Sequence, residues 1–132
     1  MGQLYGKVAI VTGGGRGLGR AYCEALAAEG AAVVTADIRD TGETVEAVEA
    51  AGGTIIGVPL DVADMASCTA MADAALVAFG GIDVLVNNAG ILRDRVMVNT
   101  TSEEWDAVID VHLRGHFAPA RWASAYWREK FK

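Results

Sequence analysis

The 132-residue sequence predicts an α/β fold, an open and doubly wound parallel sheet with helices on both faces. Three observations carry that expectation. Short apolar, β-branched runs alternate with stretches of helical periodicity. The runs are apolar almost throughout rather than at every second residue, which is the pattern of strands covered on both sides. The turn between the first run and the first helical stretch is rich in glycine, with Gly13, Gly14, Gly15, Gly17 and Gly19 close together.

Each element follows in order. Residues 7–12 (KVAIVT) read as a buried strand. Residues 16–29 carry Leu18, Tyr22, Ala25 and Leu26 at helical spacing, and Gly30 closes that helix as a C-terminal cap. A second strand is expected over 32–37, and a short helix over 41–51 ends at Gly52 and Gly53. A third strand spans 54–59, and a helix over 64–79 stops at Gly80 and Gly81. A fourth strand covers 83–87. Thr101 with Glu104 three residues on forms a capping box. From there Trp105, Val108, Ile109, His112, Leu113 and His116 or Phe117 repeat at helical spacing. Pro119 lacks an N–H and its ring crowds the preceding turn, so two helical pieces are expected to meet near residues 115–119. Right-handed crossovers leave few topologies, and the Rossmann order 3-2-1-4 is the expected one. Residues 1–132 then form the N-terminal part of a single dinucleotide-binding domain, ending before a fifth strand and leaving the fourth with an open edge.

Composition narrows the function. The chain is 52% hydrophobic and 21% charged, a globular and not a disordered balance. Its 17 acidic residues against 11 Lys and Arg give a net charge of −6, which argues against a nucleic-acid partner. Cys23 and Cys68 form no CxxC pair or disulfide framework and suit a reducing, cytoplasmic setting. No signal peptide is expected at the N-terminus, and Gly6 stands where a myristoylation motif wants Ser or Thr. No apolar run reaches a membrane-spanning length, so no membrane partner is expected. His112 and His116 are spaced like metal ligands, but no HExxH and no third ligand accompany them, so no metal is expected. A G-x-S-x-G nucleophile turn is absent.

The glycine turn carries the chemistry. Gly13, Gly17 and Gly19 fit G-x-x-x-G-x-G, with Arg16 and Leu18 at variable positions of the same turn. Such glycines let the backbone approach a pyrophosphate, and the helix N-terminus that follows offers free N–H groups and positive potential. Asp37 ends the second strand, where a carboxylate can accept both ribose hydroxyls and repel a 2′-phosphate. NAD is therefore expected over NADP, with Arg16 and Arg39 as the cations that oppose this assignment. Asp61 and Val62 follow the third strand and would border the adenine. The alternative for Asp61, or for Asp64, is to cap the next helix.

Taken together, Thr12 to Gly19 as TGxxxGxG, Asp61-Val62 and Asn87-Asn88-Ala89-Gly90 resemble the short-chain dehydrogenase/reductase family. The resemblance implies hydride transfer between a nicotinamide and an alcohol or ketone. It also implies that the NNAG stretch stabilises the sheet, with Asn88, Ala89 and Gly90 beside the cofactor. NNAGILRDR at 87–95 and VHLRG at 111–115 further resemble the dehydrogenase part of peroxisomal multifunctional enzyme type 2 and its bacterial relatives. That implies a 3-hydroxyacyl-CoA or similar substrate, and a homo-oligomer in the full-length form. The family's catalytic set is Asn, Ser, Tyr and Lys. His112 stands at the Asn position, where imidazole could hold a water or relay a proton, or simply pack. The Ser, Tyr and Lys should lie beyond a fifth strand, past Lys132. Tyr126 and Lys130, with Ser124, spell Y-x-x-x-K on the wrong side of that strand and read as a coincidence. The competing readings are a non-catalytic NAD-binding module and a structural piece whose open edge pairs with another subunit.

Overall fold

The computed structural model describes residues 2–132. Four strands, β1 (Val8–Thr12), β2 (Ala32–Asp37), β3 (Thr54–Pro59) and β4 (Val84–Val86), form one parallel sheet in the order β3-β2-β1-β4. The doubly wound expectation holds, with order and hand as anticipated from right-handed crossovers. Helices α1 (Gly17–Ala28), α2 (Gly42–Ala50) and α3 (Met65–Phe79) make the crossovers, and α4 (Ser102–Ile109) and α5 (Gly115–Lys130) follow β4.

Strand alternation splits the core in two. Ala9, Val11 and Val33 face α1 and α2, where they meet Cys23 and Val48. Ile10, Val34 and Ala36 face the other way, toward Met71, Ala72, Ala75 and Ala118 of α3 and α5. Both faces of β1 are therefore filled, and all five of its residues are buried. This explains why its sequence shows no polar alternation.

Two boundaries differ from the sequence expectation. β4 is shorter at each end. Asp83 pairs with β1 through its side chain, Oδ2 accepting from Val8 N–H at 2.9 Å, and Asn87 has already left the ladder. The second difference is the helix break. It lies at a π-helical turn, Asp110–Arg114, closed by a bond from Gly115 N–H to Asp110 O, and not at Pro119. Pro119 is buried inside α5 without breaking it. It is the fifth residue of α5, so its missing N–H affects only the first turn, where the Gly115 carbonyl would be its partner. The neighbouring His116 carbonyl accepts instead from Asn87 Nδ2 at 3.5 Å. The capping box is half made. Thr101 accepts from Glu104 N–H at 3.1 Å, while the Glu104 carboxylate pairs with Arg95 at 2.8 Å. Among the described residues, no helix is long and apolar enough to cross a membrane, and no group of three or more His, Cys, Asp or Glu is placed to hold a metal.

Candidate functional site

A cleft of about 900 Å³ opens at the C-terminal ends of the strands. In open α/β sheets this is where ligands bind, at the point where strand order reverses. Here that point lies between β1 and β4. Every residue the sequence singled out lines the cleft. Gly13, Arg16, Gly17, Leu18 and Gly19 come from the β1–α1 turn and Asp37 from the end of β2. Asp61 and Val62 follow β3, Asn88, Ala89 and Gly90 follow β4, and His112 comes from the π turn. Sequence reasoning missed Leu60, Ile91, Leu92, Arg93 and Val111 as wall residues. Only the position of the 91–93 segment, next to NNAG, could have signalled part of that wall.

The glycines are required for different reasons. Gly13 has φ +68°, and a Cβ there would lie 2.9 Å from Ala89 Cα, so the turn and the post-β4 loop touch backbone to backbone. Gly19 faces the Gly13 carbonyl and Asn88 Nδ2, which a Cβ would meet at 2.7 Å. Gly17 has φ +58° but open space in front of it. α1 begins after Arg16 with no side-chain cap, whereas Asp64 caps α3 and Thr101 caps α4. The first N–H groups of α1 are thus left for something else to satisfy.

Asp37 is fixed by two backbone donors. Oδ2 accepts from Gly15 N–H and Oδ1 from Arg39 N–H, each at 3.0 Å. A carboxylate has about four acceptor positions, so two remain for further partners. Asp61 Oδ1 accepts from Ala63 N–H at 3.0 Å, closing its own turn, while capping of α3 falls to Asp64, which accepts from Ala66 N–H at 3.0 Å. Cys68, behind this turn, is buried, and burial together with Asp64 and Asp61 pushes its thiol up to about 11.

Two threonines outside the expected set hold the site. The buried Thr12 hydroxyl accepts from Asn88 N–H at 3.0 Å and Ala89 N–H at 3.1 Å, tying β1 to the loop after β4. Asn88 Nδ2 returns the link, donating to the carbonyls of Thr12 and Gly13, both at 3.2 Å. Thr44, buried on α2, donates to Gly14 O at 2.7 Å and holds the glycine turn from below. On the far wall His112 Nε2 lies 3.0 Å from Ile91 N and 2.7 Å from Ile91 O.

Tyr126 and Lys130 are elsewhere. The Tyr126 hydroxyl faces Gly81 and Trp127 Nε1 donates to Ile82 O, at the N-terminal end of β4. From there to Asn88 the extended chain covers roughly 20 Å. No tyrosine or lysine is among the residues lining the cleft.

Residues 7–132 match the family model for short chain dehydrogenases. The chain belongs to that family. It is 48% identical over 137 residues to the hydroxyacyl-CoA dehydrogenase ChsB1 of Mycobacterium tuberculosis, covering 98% of this chain and 43% of that protein. The expected likeness to peroxisomal multifunctional enzyme type 2 is also found. The Drosophila melanogaster protein of that name is 40% identical over 136 residues, covering 95% of this chain and 22% of its own length. The crystal structure of a short chain dehydrogenase from Mycobacterium avium superposes with a TM-score of 0.94 at 48% identity, over 97% of this chain and 48% of that one. The chain thus spans less than half the length of these relatives.

Proposed function

We propose that the cleft binds NAD, and that the chain forms the cofactor-binding part of an oxidoreductase moving hydride between the nicotinamide and a secondary alcohol or ketone. The observation that carries this reading is the placement of Asp37 in the same cleft as the uncapped start of α1 and the open face of Gly17. A diphosphate needs donors and room, and the α1 N-terminus supplies the first while Gly17 leaves the second. Asp37 retains acceptor capacity for two ribose hydroxyls, and its charge disfavours a 2′-phosphate. Asp61 and Val62 border the adenine in this reading, and Asn88 to Gly90 lie along the other half of the cofactor. Bound NAD would supply the hydride acceptor. The chain's own residues bind and orient it. The likeness to ChsB1 supports 3-hydroxyacyl-CoA as the substrate class. Two buried, unpaired thiols support a reducing cytoplasm. Exposed Trp105, Leu113 and Phe117 support self-association of the full-length form.

A second reading, a nucleotide-binding module without chemistry of its own, is favoured by one observation: neither tyrosine nor lysine reaches the cleft. Calorimetric titration with NAD and NADP tests the binding common to both readings. Wild type should prefer NAD, and Asp37→Ala should weaken NAD about tenfold and abolish the preference. An unchanged preference in that variant would overturn the ribose role. NADH absorbance on adding NAD and a 3-hydroxyacyl-CoA separates the readings, since only the enzyme produces it.

A further inference from the structure

We propose that His112 is a positioning residue. Its ring clamps the main chain of Ile91, His116 anchors Ala89 beside it, and the pair sets the wall of the cleft opposite Asp37. The inference rests on the dinucleotide reading, because that wall faces the nicotinamide half.

The geometry is specific. His112 Nε2 meets both polar groups of one residue, Ile91 N–H at 3.0 Å and Ile91 O at 2.7 Å. A neutral imidazole nitrogen is either donor or acceptor. Whichever tautomer the ring adopts, Nε2 keeps one bond to Ile91. The ring also occupies space that a side chain at residue 90 would need, since a Cβ on Gly90 would lie 2.7 Å from His112 Cε1. Gly90 and His112 are thus a matched pair. His116 Nε2 lies 3.3 Å from Ala89 O, and the two ring centroids are 6.3 Å apart. The π turn that carries His112 is the local device that presents it to the loop, a widening common at functional positions.

The consequence runs through the loop. Residues 87–96 have no regular secondary structure, so the loop is held by such bonds and not by a ladder. Ala89 in turn abuts Gly13 across the cleft. Releasing the clamp therefore widens the cleft at this end and leaves the Asp37 end alone. With Nε2 committed to Ile91, only Nδ1 would be available to a water or a passing proton.

The test uses the 132-residue chain and three variants. His112→Phe keeps the ring and removes the bonds. His112→Gln restores a donor and an acceptor at similar reach. Gly90→Ala displaces the ring without touching its chemistry, and serves if His112→Phe fails to fold. Two readouts apply, hydrogen exchange of the Ile91 amide without ligand, and calorimetric affinity for NAD against ADP-ribose, which lacks the nicotinamide. In His112→Phe and Gly90→Ala the Ile91 amide should exchange about fivefold faster, and NAD should bind about fivefold more weakly with ADP-ribose unchanged. His112→Gln should restore both. Unchanged Ile91 exchange overturns the clamp, and equal weakening of NAD and ADP-ribose overturns its restriction to the nicotinamide end. If wild type binds neither ligand, the dinucleotide reading falls, while exchange still decides the clamp.

Discussion

The two walls of the cleft are built differently. The wall from β1, β2, α1 and α2 stands on packing. Every residue of β1 is buried, β2 is buried at its four central positions, and Thr44 braces the glycine turn from within the core. The wall after β4 hangs from individual bonds. β4 has no buried residue, α4 has none either, and Val98 in the connecting loop is 87% exposed. Only Thr12, Asn88, His112 and His116 tie that loop back. A packed wall resists small polar losses and fails as a unit when its shape is violated. A wall held by single bonds loosens one bond at a time.

The largest effect should come from violating shape. Gly19→Val drives a branched side chain into the Gly13 carbonyl and Asn88 Nδ2, neither of which can move without breaking the turn. We expect a loss of about 3 kcal/mol in urea unfolding. Gly17→Val sharpens the contrast. Its φ of +58° costs about 1–2 kcal/mol, but nothing obstructs the side chain. It should therefore fold better than Gly19→Val and still fail to bind NAD. Equal destabilisation by the two would contradict the packed-wall account.

Thr12 joins the walls. Thr12→Val preserves shape and leaves the N–H groups of Asn88 and Ala89 without their acceptor. The expected loss is about 2–3 kcal/mol, with faster exchange at these two amides. Should those amides stay protected, the walls are joined by something other than this hydroxyl.

Alkaline pH probes the packed side alone. The Cys68 thiol is raised from 9.0 to about 11 by burial, with Asp64 and Asp61 adding to it. The folded form therefore keeps its proton where the unfolded form loses it. Stability from this group is complete below pH 9 and is lost as pH climbs toward 11, about 2 kcal/mol in all. Burial raises Cys23 in the same direction. Urea midpoints at pH 8 and pH 10.5 should fall less for Cys68→Ala than for wild type.

The same contrast explains what could be read from the sequence. The packed side was legible. Strands at 32–37 and 54–59 have the bounds their apolar runs implied, and the glycine turn, Asp37 and Asp61-Val62 lie together because chain order fixes where strand ends meet. The hanging side was legible only in part. Asp83 reads as a strand residue, yet it pairs by carboxylate. A π turn inserts one residue into a helix and leaves side-chain spacing almost unchanged, so Pro119 drew the expected break away from residues 110–114. Periodicity could not choose between His116 and Phe117 for the helix face, and the bond from His116 to Ala89 depends on that loop's path. Thr12 and Thr44 are ordinary strand and helix residues by sequence. Their hydroxyls matter because of partners 76 and 30 residues away.

The smallest effect should come from the outer end of the hanging side. Thr101 caps α4 through Glu104 N–H, and the reciprocal half of the box is absent because Glu104 pairs with Arg95. Removing one cap bond by Thr101→Ala costs the helix about 1 kcal/mol. Because α4 buries no residue, little of that cost should reach the core. The amides of the first turn of α4 should exchange about fivefold faster while the urea midpoint shifts by less than the full amount. A midpoint that falls by the whole 1 kcal/mol, about one cap's worth, would mean that α4 unfolds with the sheet and that the two walls form one cooperative unit.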